Sequence, residues 1–117
     1  MKAILAKLND TISARGSLVI APDGMVIASD IREGVDVDRL SALGAAILTE
    51  VGKSLDKAGL KDFNQVEIAA EQGKVILVEA GPTYVLVLLG PKLEIGPGSL
   101  EIRSAAYHVA REAELAA

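Results

Sequence analysis

The chain has 117 residues, half of them hydrophobic and only 3% aromatic, with a net charge of −4, one histidine and no cysteine. That length suits one domain over residues 1–117, the apolar content argues against disorder, and a core with so few rings must be aliphatic. The acidic balance gives nucleic acid no basic footprint, and the absence of cysteine together with a lone His108 removes disulfides, thiol catalysis, Cys-ligated zinc and multi-His metal sites.

The opening "MKAILAKLNDTIS" does not read as a signal peptide, because Lys7, Asn9 and Asp10 break the apolar run. The most apolar piece, "VLVLLG", is far too short to span a bilayer. The expectation is a cytoplasmic protein with no membrane insertion. Ile4, Leu5, Leu8 and Ile12 recur at helical spacing, which predicts an amphipathic helix over 2–14, ended by Gly16. "SLVIAPDGMVIAS" then reads as a hairpin of strands 17–21 and 25–29. Pro22 fixes φ at the first turn position and Gly24 accepts a positive φ at the exit. No side chain in the hairpin can do chemistry, so it must serve the architecture.

"REGVD" is a loop in which Asp36 or Asp38 caps the next helix, over 37–58. At 100° per residue this helix has three faces. Leu40, Gly44, Ile47, Val51 and Leu55 form a core stripe, and Arg39, Glu50, Lys53 and Lys57 form a charged stripe. Ser41, Ala45, Leu48 and Gly52 form a strip of mostly small residues between them. Gly59 closes the helix.

Strands follow over 65–70, 74–80 and 83–89, joined by tight turns at Gln72-Gly73 and Gly81-Pro82. "YVLVLL" lacks alternation, which predicts a central strand covered on both faces. "GPKLEIGPGS" is a loop, and Gly98 or Ser99 starts a last helix bearing Ile102, Ala106, Val109 and Ala113 on one side. The predicted fold is α+β: a five-stranded antiparallel sheet, elements in the order α-β-β-α-β-β-β-α, with helices on both faces.

Few motifs suggest chemistry. Gly52-Lys53-Ser54 contains the end of a phosphate-binding loop, but Ile47 stands where that loop needs glycine and the segment reads as mid-helix. No bound cofactor is expected. Gly96-Pro97-Gly98 precedes a helix, where an anion can bind, but it reads more simply as a leading turn. His108 has no nucleophile beside it and reads as a surface or interface residue. Glu67, Glu71 and Glu79 read as solvated strand faces and edge protection. The small strip carries more weight. Helix propensity alone explains its alanine, but Gly44 and Gly52 each cost about 0.8–1.0 kcal/mol relative to Ala in a helix interior. Gly44 faces the core stripe, so the sheet accounts for it. Gly52 faces outward, toward a second helix.

"GSLVIAPDGMVIAS", "DRLSALGAAILTEVGKSL", "VEIAAEQGKVILVEAGPTYVLVLLG" and a closing Ala-rich helix together resemble the Roadblock family, the domain of the dynein Roadblock light chain, over nearly the whole chain. Prokaryotic members are similar to the gliding protein MglB, a regulator of a Ras-like GTPase. The resemblance implies that the middle helix covers one sheet face and the terminal helices the other. It also implies homodimers, with middle helices packed antiparallel and edge strands joined into one sheet.

Together with these readings, the resemblance implies a non-enzymatic homodimer that regulates or scaffolds a small Ras-like GTPase. Its dimer interface is expected at Ser41, Ala45, Leu48 and Gly52, and its partner-binding face at Arg39, Glu50, Lys53 and Lys57. Arg39 could stabilise transition-state charge in trans, although a solubilising surface arginine explains it as well. A structural adaptor in a motor or signalling assembly, without a GTPase, is the alternative. A small enzyme or ligand sensor would need a deep polar pocket, which this composition disfavours.

Overall fold

Two aliphatic layers, one on each face of a single sheet, account for most of this chain's apolar residues. The computed structural model describes residues 1–32, 34–92 and 99–116. Its elements are α1 (Lys2–Ile12), β1 (Gly16–Ile20), β2 (Val26–Ile31), α2 (Val37–Lys57), β3 (Gln65–Ala70), β4 (Gly73–Ala80), β5 (Thr83–Leu89) and α3 (Ser99–Ala116). The order is the one the sequence predicts. The five strands are antiparallel and lie in the order β2-β1-β5-β4-β3.

Side chains alternate across a strand, so each strand feeds both layers. Leu18, Ile20, Val75, Leu77 and Leu86 pack under α2 against Leu40 and Ile47. On the other face, Val19, Ile76, Val85 and Val87 meet Leu5 and Leu8 of α1 and Ile102, Ala106 and Val109 of α3. The middle helix thus covers one face and the terminal helices the other. β5 is the central strand, with Val85, Leu86 and Val87 fully buried, which explains why "YVLVLL" does not alternate. Each such side chain contributes about 1.5–3 kcal/mol by leaving water.

Local chemistry sets the boundaries. Asp36 is the N-cap of α2, its carboxylate accepting from the backbone N–H groups of Asp38 and Arg39 at 2.9 and 3.2 Å. Gly59 closes α2 in the left-handed region at φ +76°, and the Leu60 N–H donates back to the Leu55 carbonyl at 2.9 Å. β1 and β2 differ from their expected bounds by one or two residues, and two glycines take other places than expected. α1 ends earlier than Gly16, at Ser13, which itself adopts φ +57°. Gly16 instead starts β1, where a β-carbon would sit 2.8 Å from the Ile31 side chain. The β3–β4 turn is Glu71-Gln72 rather than Gln72-Gly73. Gly73 belongs to β4, where a β-carbon would approach the Leu89 carbonyl oxygen to 2.8 Å. Neither glycine turns the chain: Gly73 admits the backbone of β5, and Gly16 the end of the Ile31 side chain. The leading turn at Gly96-Pro97-Gly98, and Glu33 of "REGVD", lie outside the described residues.

Candidate partner-binding surface

The residues that the sequence singles out for partner and dimer contacts lie on α2, beside one edge of the sheet. Leu40, Gly44 and Ile47 are buried, and Val51 and Leu55 are half-buried, so the core stripe falls where helical phase puts it. Gly44 is pressed by the sheet: a β-carbon there would lie 2.8 Å from Ile20 and 2.9 Å from Leu86. Gly52-Lys53-Ser54 lies inside the helix, so no strand-to-helix turn exists to gather backbone N–H groups around a phosphate.

The small strip divides into parts with different surroundings. Ser41, Ala45, Leu48 and Gly52 are all half-buried. Ala45 sits against Gly24 of the β1–β2 turn, so its small size is explained within one chain. Leu48 packs on the margin of the α2 core. It and Gly52 wall a recess of about 130 Å³ with Pro22, Asp62, Phe63 and Tyr84. Gly52 has no neighbour within 4 Å of a would-be β-carbon, so nothing described in the chain requires glycine there. Ser41 donates its hydroxyl to the Asp38 carbonyl at 3.0 Å. Phe63 and Tyr84 lie 6.2 Å apart in a tilted pair. Burial raises the Tyr84 pKa, and the Glu79 and Asp62 carboxylates raise it further.

Arg39, Glu50, Lys53 and Lys57 all face solvent, with Ala42 and Ala46 exposed among them. The Arg39 side chain is 90% exposed, and its ion pair with Asp36, at 3.7 Å, contributes little in water. The outward face of α2 is therefore a row of solvated charges with small gaps.

The sequence reading gives no role to two further residues. Leu43 is 41% exposed and lies about 160° around α2 from Ala45, on the opposite flank. Ile68 of β3 pairs with Val75, which packs under α2, so Ile68 points to the α2 side and stays 40% exposed. Leu43 was visible as a leucine out of phase with the core stripe. Ile68 was not, because its exposure follows from β3 lying at the sheet edge.

The two sheet edges differ. β2 carries an irregularity where Ile20 pairs with Val26 and Val19 with Ala28, leaving Ile27 unpaired. Arg32 ties the end of β2 to α1 by reaching Asp10 at 2.8 Å and Asp30 at 3.3 Å. Such devices blunt an edge. β3 pairs with β4 in regular register throughout and leaves its other side open. Among the described residues, no three or more His, Asp or Glu side chains converge on a metal-sized site, and no helix is long and apolar enough to cross a membrane.

The model of the Roadblock/LC7 domain family matches residues 2–90. An uncharacterized protein of Methanocaldococcus jannaschii, MJ0714, is 32% identical over 103 residues, covering 88% of this chain and 87% of its own. Among solved structures, MglB of Myxococcus xanthus superposes with a TM-score of 0.87 at 17% identity, covering 97% of this chain and 94% of that one. An MglB described as having a tetrameric arrangement gives 0.88 at 22% identity, over 98% and 88%. By that family match over most of its length, the chain belongs to the Roadblock/LC7 family.

Proposed function

We propose that this protein is a non-enzymatic, homodimeric binding module that recruits a small Ras-like GTPase, as regulator or adaptor. The observation that carries the reading is the outward face of α2 on a Roadblock fold: solvent-exposed charges at Arg39, Glu50, Lys53 and Lys57, separated by Ala42 and Ala46. Such a face steers and orients a partner more than it adds affinity. The GTPase itself comes from the family resemblance. Self-association is supported by the regular open edge of β3, by the space at Gly52, and by the tetrameric arrangement described for one MglB. The proposed interface joins β3 to its copy and places Ser41, Leu48 and Gly52 of α2 toward the second protomer, Ala45 of the expected strip being covered by Gly24 of its own chain. It should bury upwards of about 1,000 Å².

Light scattering at micromolar concentration should give twice the chain mass. Each Ras-like GTPase of the source organism, loaded with GTP or GDP, should then be titrated against the dimer. One of them should bind with a nucleotide preference, and hydrolysis rates with and without the dimer separate activation from scaffolding. A dimer that binds none of these GTPases would point to the structural-adaptor alternative, and a monomer would remove the platform altogether.

A further inference from the structure

The sheet face opposite α2 carries a second surface that GTPase recruitment leaves unused. α1 and α3 lie side by side there. The Met1 amino group donates to the Glu112 carboxylate at 2.7 Å, so α1 begins where α3 ends and the two run in opposite directions. Between them is an open groove of about 550 Å³. Leu8 and Ala105 are buried at its floor with the half-buried Ile4 beside them. Leu115, 82% exposed, stands at one end.

Charge on the rims is unevenly committed. Lys7 on α1 and Arg111 on α3 line the groove, are exposed, and make no ion pair among the described residues. His108 lines it between them, its ring edge-on to Tyr107. Of the two carboxylates, Glu112 is held by the Met1 amino group. Glu101 lies in the first turn of α3, where the helix dipole favours a negative charge. The exposed charge along the groove that no ion pair among the described residues engages is therefore cationic, in a chain whose net charge is −4.

We propose that this groove docks an acidic amphipathic helix from a partner protein. The lining positions on α3 run from Glu101 to Leu115 at helical spacing, a length of about 21 Å at 1.5 Å per residue. That matches about four turns of a ligand helix lying along the α1–α3 seam. Its apolar ridge would settle on Ile4, Leu8 and Ala105, and its flanking carboxylates would meet Lys7 and Arg111. An extended peptide fits less well, because strand addition needs free backbone donors and acceptors, which two helices do not offer. With a GTPase on the α2 face, a second partner here would make the protein a two-sided adaptor. The groove does not depend on the GTPase reading.

The test uses the full chain, ¹⁵N-labelled, and two synthetic capped helical peptides. One carries leucines on one face and glutamates on both flanks, and its twin replaces every glutamate with lysine. The acidic peptide should shift amide resonances in α1 and α3, leave α2 unmoved, and bind about tenfold more tightly than its twin, as expected for two exposed charge pairs turned from attraction to repulsion. The double variant Lys7→Glu/Arg111→Glu, at two exposed positions, should reverse that preference. Equal affinity for the two peptides, no binding by either at millimolar concentration, shifts confined to α2, or an unchanged preference in the double variant would each overturn the proposal. GTPase binding enters none of these readouts, so failure here leaves that reading standing.

Discussion

Gly24 and Ala45 are two halves of one contact: a β-carbon on the glycine would overlap the methyl group of the alanine. The β1–β2 turn is thereby seated on the middle of α2. Gly24 also holds φ at +90°, which L side chains rarely adopt, and its N–H closes the turn on the Ala21 carbonyl at 2.8 Å. The hairpin, empty of reactive groups, fixes where α2 lies on the sheet.

Gly24→Ala should therefore cost about 1–3 kcal/mol, combining backbone strain with overpacking. Urea denaturation should show a lower midpoint with an unchanged slope. Ala45→Leu should fall in the same range, because the turn is rebuilt from the other side. A neutral result for either would mean that the turn is not held on α2.

Gly44 and Gly52 should respond in opposite ways although both lie inside α2. Gly44→Ala gains helix propensity of about 0.8–1.0 kcal/mol but drives a methyl group into Ile20 and Leu86. Net destabilisation is expected. Gly52→Ala meets nothing within 4 Å and should raise the stability of the isolated fold by about that propensity gain. Gly52→Leu should leave the fold intact and weaken self-association. Leu43→Glu, on the opposite flank, is the comparison. If Leu43→Glu separates the dimer while Gly52→Leu does not, the interface lies on the other side of α2.

That contrast marks how far the sequence could be read. Periodicity and turn signals located the elements and the buried face of α2, because side-chain phase and turn chemistry are local properties. Gly44 was read correctly as a concession to the sheet. Ala45 was not assigned to its turn, because which loop lies over a helix is set by strand order, and β1–β2 reaches α2 only once the sheet is assembled. Gly16 and Gly73 mislead for the same reason: a glycine that turns the chain and one that admits a neighbouring strand look alike in sequence. The openness of β3 and the α1–α3 groove likewise depend on the order β2-β1-β5-β4-β3 and on which helices share a face.

Tyr84 gives a pH signature. Burial, then Glu79 and Asp62, raises its pKa in the folded protein. The fold thus holds the phenolic proton more tightly than the unfolded chain does. This contribution to stability is complete below about pH 10, the unfolded value, and is lost as pH rises through the folded one. Ultraviolet titration should place Tyr84 above the ordinary tyrosine value of about 10, and Asp62→Asn should bring it partway down. Tyr84→Phe should flatten this part of the alkaline stability loss. A Tyr84 titration at the ordinary tyrosine value would remove the proposed influence of burial and of the two carboxylates.

The charged face of α2 supplies the sharpest test of GTPase recruitment. Lys53 and Lys57 are exposed one helical turn apart, so both can address one patch on a partner. Neither makes an ion pair among the described residues, so reversing them breaks none of those bridges in the fold. Lys53→Glu with Lys57→Glu should leave the unfolding midpoint within about 0.5 kcal/mol of the parent, as for surface changes generally. It should also leave the dimer mass unchanged, since neither residue belongs to the small strip. Against the GTPase, the pair should weaken binding about tenfold or more, mainly by slowing association, and the effect should shrink as salt is added. Stopped-flow association at two ionic strengths reads all of this. Tight binding untouched by the double reversal would place the GTPase elsewhere on the molecule, and a loss that salt does not soften would mean that the substitutions act through shape rather than charge.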